Sequence, residues 1–402
     1  MAPKRKNNCD DLADPEDDTM GSSTEFAKPV YLVAEHEDKQ STYSVFKINA
    51  AADRNEPPHA RFIVAGLPGP AHGMSFVAAH SKHGSWIVGV GGGLEAGTII
   101  LDPSTLKTYK GPRFFHPKHY PIIIAHDSEV YASSRHPHVV PDLDFQPWFE
   151  SFSFKSGVPS FDTGGVGGSW KHLRSPPFFP LYLNPYQFRN PPKISVTSYA
   201  VVDSYILMSP QRKLKVGTYT FHVANQTWEK VHNKNLPFVG QAVPLGGNLF
   251  AACSVSSNGV PASHSALVFH MSIKIPSSTS VAAVSTPALS IQKFLVPASE
   301  GKVPRPILCP LGRGSFCSIR LGSSRRSKAK FTLTTFQTEN IEAILTACQS
   351  QGAELKDLKV KEQTQNNDQW ADLMSWNLTC LWLLPFPCKH LRSIALFYLF
   401  RL

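Results

Sequence analysis

Several things are scarce in this sequence. Seven cysteines are spread over 402 residues, at positions 9, 253, 309, 317, 348, 380 and 388. No two form a Cys-x-x-Cys pair, and none stands with a histidine at zinc-finger spacing. So sparse and odd a set argues against a disulfide scaffold and fits reduced thiols used as small apolar residues. Charged residues make up 17%, below the usual quarter or so, which disfavours many long exposed helices. No apolar run reaches the ~18 residues of a membrane-spanning helix. The stretch Leu378 to Leu384 is broken by Pro385 and Pro387, and Ser393 to Phe400 is short. The opening MAPKRKNNCDDLADPEDD has no apolar core of a signal peptide, so cytoplasm or nucleus is the expected location.

Signatures of chemistry are missing as well. No G-x-S-x-G, H-E-x-x-H or G-K-[ST] motif occurs. Gly91-Gly92-Gly93 and the run Gly164 to Gly168 lead into no helix and read as turns, not phosphate cradles. Sixteen histidines include three close pairs, His80 with His83, His116 with His119, and His136 with His138. None has a third ligand arranged beside it. The sequence therefore supplies no catalytic, cofactor-binding or metal-ligating residue, and no cofactor is expected.

What is present points to β structure. Hydrophobic residues reach 42%, with 33 prolines and 26 glycines. Residues 1–27 read as a disordered charged lead, with the basic knot Lys4, Arg5, Lys6 followed by Asp10, Asp11, Asp14, Glu16, Asp17 and Asp18. The knot is a candidate nuclear import signal. From 28 to 338, short runs such as Tyr31 to Ala34, Ser85 to Gly89, Thr98 to Leu101, Ile122 to Ile124 and Val201 to Met208 alternate with Gly, Pro, Asn, Asp and Ser. Residues 339–402 read differently: Asn340 caps a helix from Ile341 to Cys348 that stops by Gly352, with ELKDLKVKEQ as an extension, then an apolar tail. That tail is expected to pack on the body, with a membrane-surface contact as the alternative.

One unit recurs in the body: a strand, a short polar turn, a second strand carrying an aromatic, then a proline-bearing exit. It reads GTIILDPSTLKTYKGPRFF from Gly97 and GTYTFHVANQTWEKVHNKNLPF from Gly217. Looser copies are ESFSFKSG from Glu150 with SWKHLRSPPFF from Ser169, then YSVFKINAA from Tyr43, SALVFHMSI from Ser265 and KFTLTTFQT from Lys330. The starts lie roughly 45 to 65 residues apart, the spacing of four-stranded propeller blades. FVAAHS and SWIVGVGGG before the first clear unit, and ISVTSYAVV and SYILMSP before the second, supply two inner strands each. Stacking such sheets around an axis buries both faces of each. Tyr109, Trp170 and Trp228 fall at the same place in their units and are expected to wedge between blades. The fold expected is an all-β propeller of six four-stranded blades, or seven if the two ends combine, with a short helical and irregular C-terminal tail.

The order Gly91-Gly92-Gly93, Asp102-Pro103, Tyr109, and again Gly217, Asn225, Trp228, resembles the kelch motif. The segment 217–254 also looks like the propellers of a grass-expanded group of plant families, some of which carry an F-box before kelch-like repeats. No F-box-like helical segment precedes the repeats here. The resemblance implies a non-catalytic scaffold that presents a loop face to a protein or peptide partner, such as a substrate-recognition module. Two other classes remain open. One is a small-molecule or sugar-active propeller enzyme. The other is a binder of anionic surfaces, nucleic acid or lipid, suggested by a net charge of +10. Against the last, the charges are scattered along the chain, with short clusters only at the N-terminus and at Arg325, Arg326, Lys328 and Lys330.

Overall fold

Each repeat unit starts at the third strand of a four-stranded antiparallel sheet. The computed structural model describes residues 30–35, 43–48, 60–64, 67, 72–93, 97–137, 149–156, 168–180, 184–190, 192–254, 266–275, 287–296, 307–312, 314–323, 329–349, 357–367 and 397–401. The first sheet holds β1 (Val30–Glu35), β2 (Tyr43–Ile48) and β3 (Ala60–Val64). The second holds β4 (Met74–Ser81), β5 (Gly84–Gly91), β6 (Gly97–Leu101) and β7 (Thr108–Gly111). The third holds β8 (Ile122–His126), β9 (Glu129–Ser133), β10 (Phe149–Ser153) and β11 (Lys171–His172). The short helix α1 (Pro185–Arg189) leads to the fourth, β12 (Val196–Val202), β13 (Tyr205–Pro210), β14 (Thr218–His222) and β15 (Thr227–His232). The fifth holds β16 (Phe238–Gly246), β17 (Leu249–Ser254), β18 (Ala266–Lys274) and β19 (Ala288–Leu295). The sixth holds β20 (Ile307–Gly312), β21 (Ser315–Ser323), β22 (Ala329–Thr338), the helix α2 (Ile341–Gln349) and β23 (Val360–Asn367).

A last strand, β24 (Phe397–Arg401), returns to the first sheet and pairs antiparallel with β1, Leu399 opposite Leu32. It gives that sheet the strand order β24-β1-β2-β3. The recurring unit thus begins on β2, β6, β10, β14, β18 or β22, and there are six blades. Parallel pairing of Ser198 with Gly240 and Tyr199 with Gln241 joins the first strands of blades four and five. In blades two to six the first strand is the innermost one, and in blade one that place is taken by β24.

The buried apolar residues fall into six clusters, one for each gap between neighbouring blades. Val30, Leu32 and Ala34 pack with Cys309, Cys317, Ile319 and Leu333 of blade six. The alternate residues of the same strand, Tyr31 and Val33, pack with Met74, Phe76, Ile87 and Ile99 of blade two. A strand shows successive side chains to opposite faces, so a continuous apolar run such as VYLVA is what a two-sided blade requires. Four further clusters fill the gaps from blade two round to blade six. Burial of each large side chain there is worth about 1.5–3 kcal/mol. The ring closes because its last gap is filled as well as the others.

Two expectations need correction. The propeller does not stop at 338: β23 pairs along the whole of β22, and β24 completes blade one. ELKDLKVKEQ does not extend the helix, for Val360 onwards is an outermost strand whose polar composition an edge strand tolerates. Asn340 ties α2 to that strand, its Nδ2 donating to the Asp357 carbonyl and its Oδ1 accepting from the Lys359 amide, both at 2.9 Å. Ile344 of the helix is buried in the gap between blades five and six.

The wedges are where the units place them, but they do not all face one way. Trp170 is buried against blade two, with its indole N–H donating to Thr98 Oγ1 at 3.1 Å. Trp228 likewise faces the preceding blade and donates to the Arg174 carbonyl at 2.8 Å. Tyr109 of blade two turns towards blade three.

Candidate functional site

The meander gives the ring two unlike ends. Turns between the first and second strands lie at one end. They are two-residue loops at Asp127-Ser128, Asp203-Ser204 and Gly247-Asn248, and left-handed backbone occurs at Asp127, Ser128, Asp203, Gly247 and Asn248, as tight hairpins demand. The Asp102-Pro103 turn also lies here. Asp102 Oδ1 accepts the Ser104 amide at 2.8 Å, and Oδ2 the Thr105 hydroxyl at 2.8 Å. The opposite end carries the connections between blades and between second and third strands, including residues 112–121, 173–195, 211–217 and 233–237. Loops held by a rigid scaffold are where binding residues concentrate.

At that connection end, Glu35 forms a hub between blades one, two and three. Its carboxylate is 1% exposed and accepts from Tyr43 Oη at 3.1 Å, the Gly73 amide at 3.1 Å and Tyr120 Oη at 3.1 Å. His72 Nδ1 lies 3.2 Å away. Burial, with the Glu35 carboxylate, pushes the Tyr120 hydroxyl well above its ordinary range. Around the hub the connections interlock. The Tyr120 and Gly92 amides both donate to the Gly73 carbonyl, the Gly93 amide donates to the Lys118 carbonyl, and Arg135 Nε donates to the Tyr120 carbonyl. Gly91, Gly92 and Gly93 all have positive φ. A Cβ on Gly91 would stand 2.5 Å from the Gly73 carbonyl oxygen. The triglycine is therefore a turn made for close backbone approach.

Beside the hub lies a buried ion pair. Lys118 Nζ is 2.9 Å from Glu150 Oε2, with side chains 1% and 0% exposed, and Lys118 lies 4.5 Å from the Phe114 ring centroid. Burial pushes the ammonium down and the carboxyl up, while their mutual attraction opposes both shifts. Burial, then Lys118 and His172, holds His116 below the ordinary imidazole range. Burial, then Lys118, does the same to His172. Their rings meet edge to face at 5.8 Å. Among the described residues no carboxylate stands with the two imidazoles as a third metal ligand.

The paired histidines of the sequence do not form ligand sets. His116 turns to His172, whereas His119 meets Tyr120 edge to face at 4.5 Å. His80 and His83 flank the β4–β5 turn at the other end of the ring, His80 Nδ1 lying 2.8 Å from Ser85 Oγ. Among the described residues, no group of three or more His, Cys, Asp or Glu side chains is placed to hold a metal ion. No described helix is long and apolar enough to cross a membrane. Lys4, Arg5, Lys6, His138, Gly164 to Gly167, Arg325 to Lys328 and Leu378 to Leu384 lie outside the described residues. Sequence reasoning missed Glu35, Tyr120, Lys118 and Glu150, whose partners come from separate blades.

The exposed large apolar side chains sort by end. Phe115, Tyr186 and Leu214 (57%, 84% and 42% exposed) lie in connections, and Leu106 and Ile275 follow third strands at the tight-turn end. Tyr186 stands on α1, whose Asn184 and Gln187 bond each other's backbone amides in a reciprocal cap.

No curated protein matches this chain. Among solved structures it is similar to the WD40 domain of SCAP from fission yeast, with 10% identity and a TM-score of 0.31, over 80% of this chain and 72% of that one. The sheet order and the six packing clusters carry the fold without it. A family model described as a protein of unknown function, DUF1668, matches residues 27–368, most of the chain and every described strand but the last, and the protein belongs to that family.

Proposed function

We propose that the protein is a non-catalytic scaffold whose connection end holds a protein or peptide partner, with kelch-like blades as its frame. One observation carries this reading: connections laced by buried polar contacts around Glu35 display Phe115, Tyr186 and Leu214 at the end opposite the two-residue turns between first and second strands. Rigid loops with exposed aromatics lower the ordering cost of binding. The step from propeller to scaffold rests on fold-level analogy. Cys253, Cys309, Cys317 and Cys348 are not joined in disulfides, which suits work in the cytoplasm or nucleus.

The test is cross-linking capture from an extract of the source organism with three full-length baits: the native chain, Phe115→Ser/Tyr186→Ser, and Leu106→Ser/Ile275→Ser. The expected result is a protein held by the native chain and the third bait and lost by the second. Equal retention by all three, or turnover of a small molecule by protein carrying a stoichiometric metal, would overturn the reading.

A further inference from the structure

Net positive charge is concentrated in one stretch of the chain. Between residues 163 and 299 stand eleven Lys and Arg but only two acids, Asp203 and Glu229, a net of +9 out of the chain's +10. This stretch makes the outermost strand of blade three, the connection that follows it, and blades four and five. Asp203 sits in a tight turn at the far end, and Glu229 lies in β15. The connections at the other end of blade four therefore bring only cations.

Those connections are laced into one platform by Gln211 and Asn235. Gln211 Nε2 donates to the Lys193 carbonyl, and its Oε1 accepts the Ser195 amide at 2.5 Å. Asn235 Nδ2 donates to the Pro210 carbonyl at 2.7 Å, and its Oδ1 accepts the Gly217 amide at 2.7 Å. Thr218 Oγ1 donates to the Lys234 carbonyl at 2.8 Å. The stem of Lys230 covers Gly217, its Cε lying 2.8 Å from where a Cβ there would stand. Lys193, Lys213, Lys215, Lys230 and Lys234 are all exposed. Leu214, 42% exposed, stands between two of them.

We propose that this platform docks an acidic segment of a protein partner, one with an apolar side chain among its carboxylates. The proposal rests on the scaffold reading and names the partner's chemistry. Five ammonium groups gathered at one end of blade four, on its connections and on β15, repel one another, and a run of Asp and Glu relieves that repulsion. The exposed cations laced around Gln211 and Asn235 are lysines, point charges with no planar fork for bidentate phosphate contact, although Arg174 and Arg189 stand in the same inter-blade connection. Single-stranded nucleic acid sites stack bases on several aromatic rings, whereas Leu214 is the apolar side chain between Lys213 and Lys215 and α1 adds one exposed ring, Tyr186. A lipid surface asks for an apolar face that inserts, and a half-exposed Leu214 is not one.

The experiment measures anisotropy of a labelled peptide of Asp and Glu around one central Leu, with the full chain, at low and at physiological salt. Three variants accompany it: Lys193→Glu/Lys213→Glu/Lys215→Glu/Lys234→Glu, the matched control Lys82→Glu/Lys107→Glu/Lys110→Glu/Lys274→Glu, and Leu214→Ser. Thermal melts check that each is folded. The native chain is expected to bind, more weakly as salt rises. The platform reversal is expected to lose about tenfold or more, and the control about twofold at most. Leu214→Ser should weaken the Leu peptide but not one with Gly at its centre. Absence of binding at low salt, equal loss in the control, or tighter binding of a single-stranded RNA of equal charge or of phosphatidylserine vesicles would overturn the proposal. If the peptide fails while the Phe115→Ser/Tyr186→Ser bait still loses a protein, the scaffold reading stands and only the acidic-segment proposal falls.

Discussion

Lys118 Nζ meets Glu150 Oε2 at 2.9 Å with both side chains closed off from water, and the contact fastens the connection before β8 to the third strand of the same blade. Removing either partner strands a buried charge. Lys118→Met or Glu150→Gln is expected to cost about 3–5 kcal/mol in urea unfolding, whereas Lys118→Met/Glu150→Leu recovers most of that loss. Equal damage in single and double variants would show that the charge pairing is not what matters.

Acid should weaken the protein through His116 and His172. Both imidazoles are held below their ordinary range, mainly by burial and Lys118, so the unfolded chain takes up protons first. Their contribution is fully present above the unfolded pKa near 6.5 and lost as pH falls below it. The melting temperature is expected to drop between pH 6.5 and 5, and His116→Gln/His172→Gln to flatten that drop.

Alkali acts in the opposite sense on Tyr120. Burial and Glu35 raise its hydroxyl above the ordinary value of 10.0, so stability holds below that pH and is lost as pH rises through it. Tyr120→Phe should soften the fall above pH 10, at the expense of a hydrogen bond worth about 1.5–3 kcal/mol to a charged acceptor at neutral pH.

Two glycines separate backbone strain from collision. Gly73 has φ +104, and a Cβ there would lie 2.2 Å from His119 Nδ1. Gly240 has φ +80 and nothing within 4 Å. Gly240→Ala is expected to cost about 1–2 kcal/mol from its conformation alone, and Gly73→Ala clearly more, by chemical denaturation.

Deleting residues 397–402 should leave blade one with three strands and a bare β1 edge. Hydrogen exchange is expected to speed up in Tyr31 to Ala34, paired with β24 in the native ring, and in no other first or second strand to the same degree.

The outer half of each blade was legible because its turn chemistry is local: Asp102 bonds Ser104 and Thr105 within four residues of itself. The blade count followed, since the six units are the six third strands. What stayed hidden needed partners far off in the chain. FYLFR near the end of the chain looks like a stray apolar tail until β1 stands beside it, and VKEQTQNN looks helical or loose until β22 offers an edge. The candidate site was harder still. Glu35 ends an ordinary strand, and its donors come from positions 43, 73 and 120, a set no spacing rule unites. Trp170 and Trp228 announced themselves as wedges, but which neighbour each faces depends on strand register.

The seam between β1 and β24 sets the order in which the molecule is completed on the ribosome. Blade one begins the chain with three strands and waits through the synthesis of five others before its innermost strand emerges. Until then, the edge from Val30 to Glu35 offers unpaired amides and carbonyls to any passing strand. Closure of the ring therefore waits on β24, and a chaperone that shields the β1 edge would act before that strand pairs.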